Sequence, residues 1–228
     1  MREPDDALIR TIAQTAAEDL EVFCAANGLR YANERDHLSK CVKRSVEQAA
    51  VALVPRPALH PFLFGDKHGW VGLGHVDVVL RWTDGLPTFL ELKCGSGSDA
   101  LRACVWDALE LATALLGGNA RSAYLLAGAP SVVWRARCPG AELFDSGEWE
   151  TLGRDLRGRF RSDWTFWENE STPHIPGRVP AGFQTVELGK AAFEIAGTPW
   201  ELRTARVESV GRDWIDWPSL VTRGESGR

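Results

Sequence analysis

"GHVDVVLRWTDGLPTFLELKCGSG", residues 74–97, holds two apolar-rich runs joined by Thr83, Asp84 and Gly85. Each run carries charge where a strand would carry core: Asp77 in the first, Glu91 and Lys93 in the second. A strand sends alternate side chains to opposite faces. Val76, Val78, Leu80 and Trp82 then share one face of the first run, and Thr88, Leu90 and Leu92 share one face of the second. If both sets face a core, Asp77, Glu91 and Lys93 lie together on the other face. That arrangement requires a hairpin loop of odd length. A three-residue loop pairs Trp82 with Leu86, and hence Asp77 with Glu91; a five-residue loop pairs Asp77 with Lys93. A two-residue Asp84–Gly85 turn would split the carboxylates across the sheet.

Directly opposed cross-strand side chains stand about 5 Å apart. Two carboxylates at that spacing repel, and a buried charge without compensation costs several kcal/mol. A hard divalent ion relieves both problems: Mg²⁺ is held by one or two carboxylates together with water and substrate phosphate. Lys93 points the same way as Glu91. It would hold an attacking water or neutralise a developing oxyanion, while the metal lowers that water's pKa. The backbone carbonyl of Leu92 offers a further ligand. The chemistry this patch points to is phosphodiester hydrolysis with Mg²⁺, or Mn²⁺, as cofactor.

Asp77, thirteen residues, then Glu91-Leu92-Lys93 resembles the motif of the PD-(D/E)XK nuclease superfamily, the restriction-endonuclease-like fold. The resemblance spans about residues 36–135. It implies a core of helix, three strands, helix and strand, with helices packed on a central mixed sheet. It also implies metal ligation by Asp77, Glu91 and the Leu92 carbonyl, a catalytic role for Lys93, and nucleic acid, DNA in first place, as substrate. Many members carry an acid on the helix before the sheet, and Glu47 is similar in position and would join the catalytic and metal-binding set. Gly74 resembles the glycine of members whose strand bends at the site. Val76 stands where a proline is common. The Gln-x-x-x-Tyr pattern that some branches carry on the following helix is missing, and Trp106 and Asp107 stand there instead.

Around this centre the chain reads as an α/β protein. Apolar residues at helical spacing (Leu8, Ile12, Ala16, Leu20, Phe23) predict a helix over residues 5–26, stopped by Asn27–Gly28. A second helix is expected from about Asp36 to Val54, ended by Pro55 and Pro57. "PRPALHPFLFGDKHG" reads as a connector, followed by strands over 70–82 and 88–94. A helix from Ser98 or Asp99 to Leu116 is capped by those residues and stopped by Gly117–Gly118. "SAYLLAGA" and "SVVWRAR" are expected as strands, and "EWETLGRDLRGRFRSDWTFWE" as a broken helix. Residues 1–170 form the nuclease-like core with its N-terminal helices. Residues 171–228 form a small β-rich appendage, with turns at Gly189, Gly197–Thr198 and Gly211–Arg212 and a disordered tail. Target recognition, a homodimer contact, a protein partner or simple stabilisation all fit that module.

Composition narrows the alternatives. A content of 44% hydrophobic and 25% charged residues supports a packed core and excludes wholesale disorder. A net charge of −5 excludes a surface that is basic throughout. Basic residues are instead clustered. Arg154, Arg157 and Arg161 fall on one helical face, and Lys43 and Arg44 belong to a second patch with Arg35 and Lys40; both fit phosphate tracking. Trp164 and Trp167 flank Phe166 as a candidate base-stacking cluster, more simply read as core. Five cysteines without CxxC predict reduced, buried thiols of a cytoplasmic protein. No apolar run is long enough for a membrane span, and no signal core opens the chain, so no membrane partner is expected. No HExxH, GxSxG or phosphate-cradling loop appears. The rival readings are an inactive scaffold of the same fold, a nucleic-acid- or protein-binding module, and an interaction protein that docks through its Trp-rich C-terminal half.

Overall fold

Strand pairing, more than helix content, organises this molecule. The computed structural model describes residues 5–52, 59–64, 76–82, 85–136, 138, 140–150 and 178–216, with backbone alone at 50–52, 59–64, 81, 178–179 and 216. In chain order come α1 (Asp6–Ala26), a π-helical turn (Glu34–Leu38), α2 (Ser39–Ala52), β1 (Leu59–Phe64), β2 (Val78–Trp82) and β3 (Thr88–Cys94). Then follow α3 (Ser98–Leu116), β4 (Ser122–Pro130), α4 (Ser131–Arg135), a 3₁₀ turn (Ala141–Phe144), β5 (Gly147–Glu150), β6 (Arg178–Pro180), β7 (Gly182–Ile195), β8 (Thr198–Ser209) and β9 (Trp214–Asp216). A seven-stranded mixed sheet has the order β1-β2-β3-β4-β8-β7-β5, and β6 pairs with β9 separately. Only β3 and β4 are parallel; the other pairs of the large sheet are antiparallel.

The β2–β3 register is that of the three-residue loop. Val78 opposes Leu90, Val79 opposes Phe89 and Leu80 opposes Thr88. Continued by one step, it sets Asp77 against Glu91. Val78, Leu80, Leu90 and Leu92 pack beneath α1 and α2, as the even-numbered core requires. The opposite face is no open surface, however. Val79, Phe89, Ala123 and Leu125 form a second core under α3. The cause is the parallel β3–β4 pair, whose crossover helix lies over one face of the sheet. Both strands are therefore buried on two sides, and β4 is buried at every position. Val76 belongs to the α3-side core although regular alternation would place it with Val78. The backbone bends at Asp77, which lies just before β2.

The helices expected over 5–26, 36–54 and 98–116 are present, with adjusted ends, while residues 151–168 of the expected broken helix lie outside the described residues. α1 buries Ile9, Ile12, Ala13, Ala16, Ala17, Leu20 and Cys24, a stripe at i, i+3, i+4 and i+7 spacing. It stops at Asn27, with Gly28 left-handed at φ 61°. α2 begins at Ser39 because a π-helical turn precedes it; the Asn33 side chain accepts the Asp36 N–H at 2.8 Å. α3 is capped by Gly97 in extended conformation, with no side-chain cap from Ser98 or Asp99. Gly140, at φ 90°, lets the loop after α4 press on α3: a Cβ there would fall 1.7 Å from the Leu101 carbonyl oxygen.

Several expectations are corrected. "SVVWRAR" contributes the short helix α4, although its β-branched residues favour a strand. Tertiary packing overrides propensity there. Trp134 is buried edge-on against Phe144 with centroids 5.1 Å apart, and its indole N–H donates to the Glu201 carbonyl at 3.1 Å. The connector contains the edge strand β1, and "EWE", the start of the expected broken helix, belongs to edge strand β5. Gly189 makes no turn. β7 runs through it as a bulge at φ 145°, with the register shifting between Glu187 and Gly189. The turn expected at Gly197–Thr198 lies one residue earlier, at Ala196–Gly197, and Gly211–Arg212 bends where expected. The β-rich segment is continuous with the core sheet and no appendage to it: Ala123–Pro130 of β4 pairs with Val207–Trp200 of β8. Its inward residues, Leu202, Ala205 and Val207 among them, complete the two cores. The five cysteines are buried and unpaired by disulfides. Among the described residues no helix is long and apolar enough to cross a membrane.

Candidate active site

The bend at Asp77 aims its carboxylate at the neighbouring strand, where Oδ2 accepts the Leu92 N–H at 2.8 Å. This bond joins the end of β2 to the far end of β3. Glu91 stands beside it, only 3% exposed, and its Oε1 has no hydrogen-bond partner among the described residues. Burial pushes the Glu91 carboxyl well up, and the Asp107 and Asp77 carboxylates add to this against the opposing pull of Lys93. Lys93 leaves β3 on the same side. Its Nζ donates to the Leu92 carbonyl oxygen at 3.0 Å, lies 2.9 Å from Asp107 Oδ2 and lies 3.5 Å from Glu34 Oε2. Burial alone would lower the Lys93 ammonium, but Asp107, Glu91, Asp77 and Glu34 outweigh it and hold the pKa well above the usual range.

Two of these acids come from outside the motif. Asp107 projects from the buried face of α3, among Cys104, Val105, Ala108 and Leu111. Burial raises its pKa to about 6 against the lowering effect of Lys93. Glu34 is the first residue of the π-helical turn before α2. Burial raises it to about 7; Lys93 lowers it, while Asp77 and Asp107 push it up. Four carboxylates thus surround one ammonium, so full ionisation would leave three net negative charges in a largely buried space. Such a space favours either bound protons or an added cation.

The motif residues Asp77, Glu91, Leu92 and Lys93 are brought together; Glu47 is not. Glu47 is exposed on α2, whose inward stripe is Cys41, Val42, Ser45, Val46 and Ala49, so helical phase turns it to solvent. The acid that reaches Lys93 from this part of the chain is Glu34, in the π-helical turn just before the same helix. A carboxylate at a helix start beside a side-chain cap was a legible signal, but only the three-dimensional path of the loop ties it to Lys93. Asp107 had a plainer signal: it interrupts an otherwise apolar helix face. Lys43 and Arg44 are exposed on α2, and Arg44 lies 3.6 Å from Asp19. Arg154, Arg157 and Arg161, the Trp164–Trp167 cluster and Gly74 lie outside the described residues.

Among the described residues no three His, Cys, Asp or Glu side chains stand at direct metal-ligand spacing. The oxygens around Glu91 are nonetheless hard donors throughout: the Asp77 and Glu91 carboxylates and the Leu92 carbonyl, with the Asp107 carboxylate close by and held by Lys93. Its chemistry fits Mg²⁺ or Mn²⁺ better than a soft metal. The unpartnered Glu91 oxygen is the atom such an ion would satisfy. No protein-family profile matches the chain, and no curated protein or solved structure shows significant similarity to it.

Proposed function

We propose that this protein is a metal-dependent nuclease with a restriction-endonuclease-like core, hydrolysing phosphodiester bonds in nucleic acid, with DNA favoured. The carrying observation is the buried Glu91 carboxylate with a free oxygen, beside Asp77, Lys93 and the Leu92 carbonyl. The order α2, β1, β2, β3, α3, β4 supports the reading, because it is the helix, three-strand, helix, strand order implied by the motif. Preference for DNA rests on the resemblance to the nuclease superfamily, an argument by analogy.

In this reading Asp77, Glu91 and the Leu92 carbonyl hold a divalent ion, with Glu34 at the rim. When bound, such an ion supplies Lewis-acid polarisation of the phosphate and a more acidic water. The chain supplies the remaining functions. The Leu92 N–H fixes the Asp77 carboxylate, so the ligand set keeps its shape without substrate. Lys93 carries a positive charge to the phosphate, where it orients the attacking water and stabilises charge developing on a non-bridging oxygen. Two apolar layers hold the strands that bear these groups, which limits their drift from the productive geometry.

A second reading has its own observation. Lys93 already neutralises part of the acid cluster and hydrogen-bonds the Leu92 carbonyl. An inactive scaffold of the same fold would use Lys93 as a permanent counter-ion. Supercoiled plasmid and single-stranded oligonucleotide, incubated with Mg²⁺ or Mn²⁺, decide between the two. Cleavage by the wild type, abolished by EDTA and reduced about 100- to 1,000-fold in Lys93→Ala, is expected for the nuclease. Wild-type protein that leaves every substrate intact with either metal contradicts it.

A further inference from the structure

We propose that Asp107 is a positioning residue for Lys93, holding its ammonium over the Leu92 carbonyl at the mouth of the acid cluster. The proposal rests on the nuclease reading for its catalytic meaning and on geometry for the clamp itself. Asp107 is 7% exposed on the core face of α3, and its only ion pair among the described residues is with Lys93, at 2.9 Å. The two groups come from different elements, so neither local sequence nor helix geometry brings them together. Lys93 reaches its place along a flexible four-carbon stem, and unaided it would sample many rotamers. Three contacts remove that freedom: Asp107 from α3, Glu34 from the π-helical turn and the Leu92 carbonyl from its own strand.

Packing alone does not explain Asp107. A buried ion pair is often replaceable by apolar residues of similar volume without loss of stability. The neighbours on α3, Cys104, Val105, Ala108 and Leu111, show what the site accepts. The geometry gives this acid a direct partner in Lys93, and with it a means to fix where that charge sits. Among the described residues no hydrogen bond joins Asp107 to the Asp77 oxygens or the Leu92 carbonyl, and its direct partner is Lys93. It acts through Lys93, and its loss should loosen a reacting group without loosening metal or substrate.

The test pairs catalysis with a readout that does not require it. Side-chain ammonium NMR on ¹⁵N-lysine protein, with Lys93→Ala for assignment, is expected to show one ordered, slowly exchanging Lys93 signal in the wild type. Nuclear Overhauser contacts should link Lys93 Hε to Asp107 Hβ. In Asp107→Asn the ordered signal should vanish. The kcat of cleavage should fall about 100-fold, the cost of misplacing a reacting group by roughly 1 Å, while KM and Mn²⁺ affinity stay within about twofold. A retained signal with wild-type kcat overturns the proposal, and so does a matching loss of Mn²⁺ affinity, which would make Asp107 a ligand. If Asp107→Asn does not fold, the wild-type contacts decide alone, and their absence overturns the clamp. If the wild type cuts nothing, the nuclease reading fails and the NMR result still judges the clamp.

Discussion

Buried charge flanks both ends of β3, and the two ends treat it in opposite ways. At its start, Asp5 accepts hydrogen bonds from Thr88 Oγ1 at 2.5 Å, Ser122 Oγ at 2.9 Å and Arg121 Nε at 3.1 Å. Arg121 also ion-pairs with Asp5 and lies over the Trp82 ring at 3.9 Å. Next to this, Asp6 accepts from the Tyr124 hydroxyl at 3.1 Å and pairs with Arg206. Each acid faces its own guanidinium. The result is a clasp that pins the start of α1 to β3, β4 and β8. Five residues along β3, roughly 16 Å away, four carboxylates act on one ammonium, and Glu91 Oε1 has no hydrogen-bond partner among the described residues. Polar groups buried for stability are saturated. An unsatisfied acid inside a cluster of like charges in a rigid frame is the physical case for separating site from scaffold here.

Glu91→Gln should separate the two ends most sharply. Cleavage is expected to fall about 1,000-fold, yet stability at pH 7.5 should rise by about 1 kcal/mol, because a neutral amide replaces an uncompensated buried carboxylate. Activity assays and urea unfolding on the same preparation read both effects. A loss of both would make Glu91 a structural acid like Asp5.

Asp5→Ala is the converse. It strands Arg121, Thr88 and Ser122 without their acceptor and should destabilise the fold by about 2–3 kcal/mol. Below its melting range, Mn²⁺ affinity and kcat should match the wild type. A change in metal affinity at full folding would couple the clasp to the site and erase the distinction.

The difference also predicts a pH signature. The folded-state pKa values of Glu34 and Asp107 are raised, to about 7 and about 6. The native protein therefore holds protons that the unfolded chain has released. The stability these groups contribute is complete below their ordinary carboxylate range and is lost as pH rises toward 7. Metal-free wild type should lose melting temperature from about pH 4.5 to pH 7.5 relative to Asp107→Asn, whose slope should be shallower. Mn²⁺ at pH 7.5 should restore it in the wild type by binding the native state alone. Parallel slopes for the two proteins would remove the charge imbalance from the account.

The smallest effect belongs to Glu47→Ala. On the solvent face of α2 it should shift stability by no more than about 0.5 kcal/mol and leave cleavage unchanged. A large loss would return Glu47 to the site and displace Glu34.

The β2–β3 centre was legible because period-two alternation ties the positions of Asp77, Glu91 and Lys93 to one variable, the parity of the loop. The observed pairs Val78–Leu90 and Val79–Phe89 have the required odd-loop register. α1 and α3 were legible from long apolar stripes with clear stops. What escaped were features set by distant contacts. Glu34 and Asp107 are separated from Lys93 by a loop path and a crossover, and no local pattern encodes either meeting. Glu47 misled because an acid near apolar neighbours in sequence can still point outward by helical phase. β7 and β8 read as a separate meander because strand alternation names neighbours within a hairpin, whereas pairing of β8 with β4 is a long-range choice. In "SVVWRAR" the burial of Trp134 outweighed β-branched propensity.

Calorimetric titration of Mn²⁺ into the metal-free wild type and into Glu91→Gln at pH 7.5 tests the central claim most directly. Saturable uptake by the wild type, competed by Mg²⁺, is expected, with at least about tenfold weaker uptake by the variant. No uptake by the wild type, or equal uptake by both proteins, would contradict that claim.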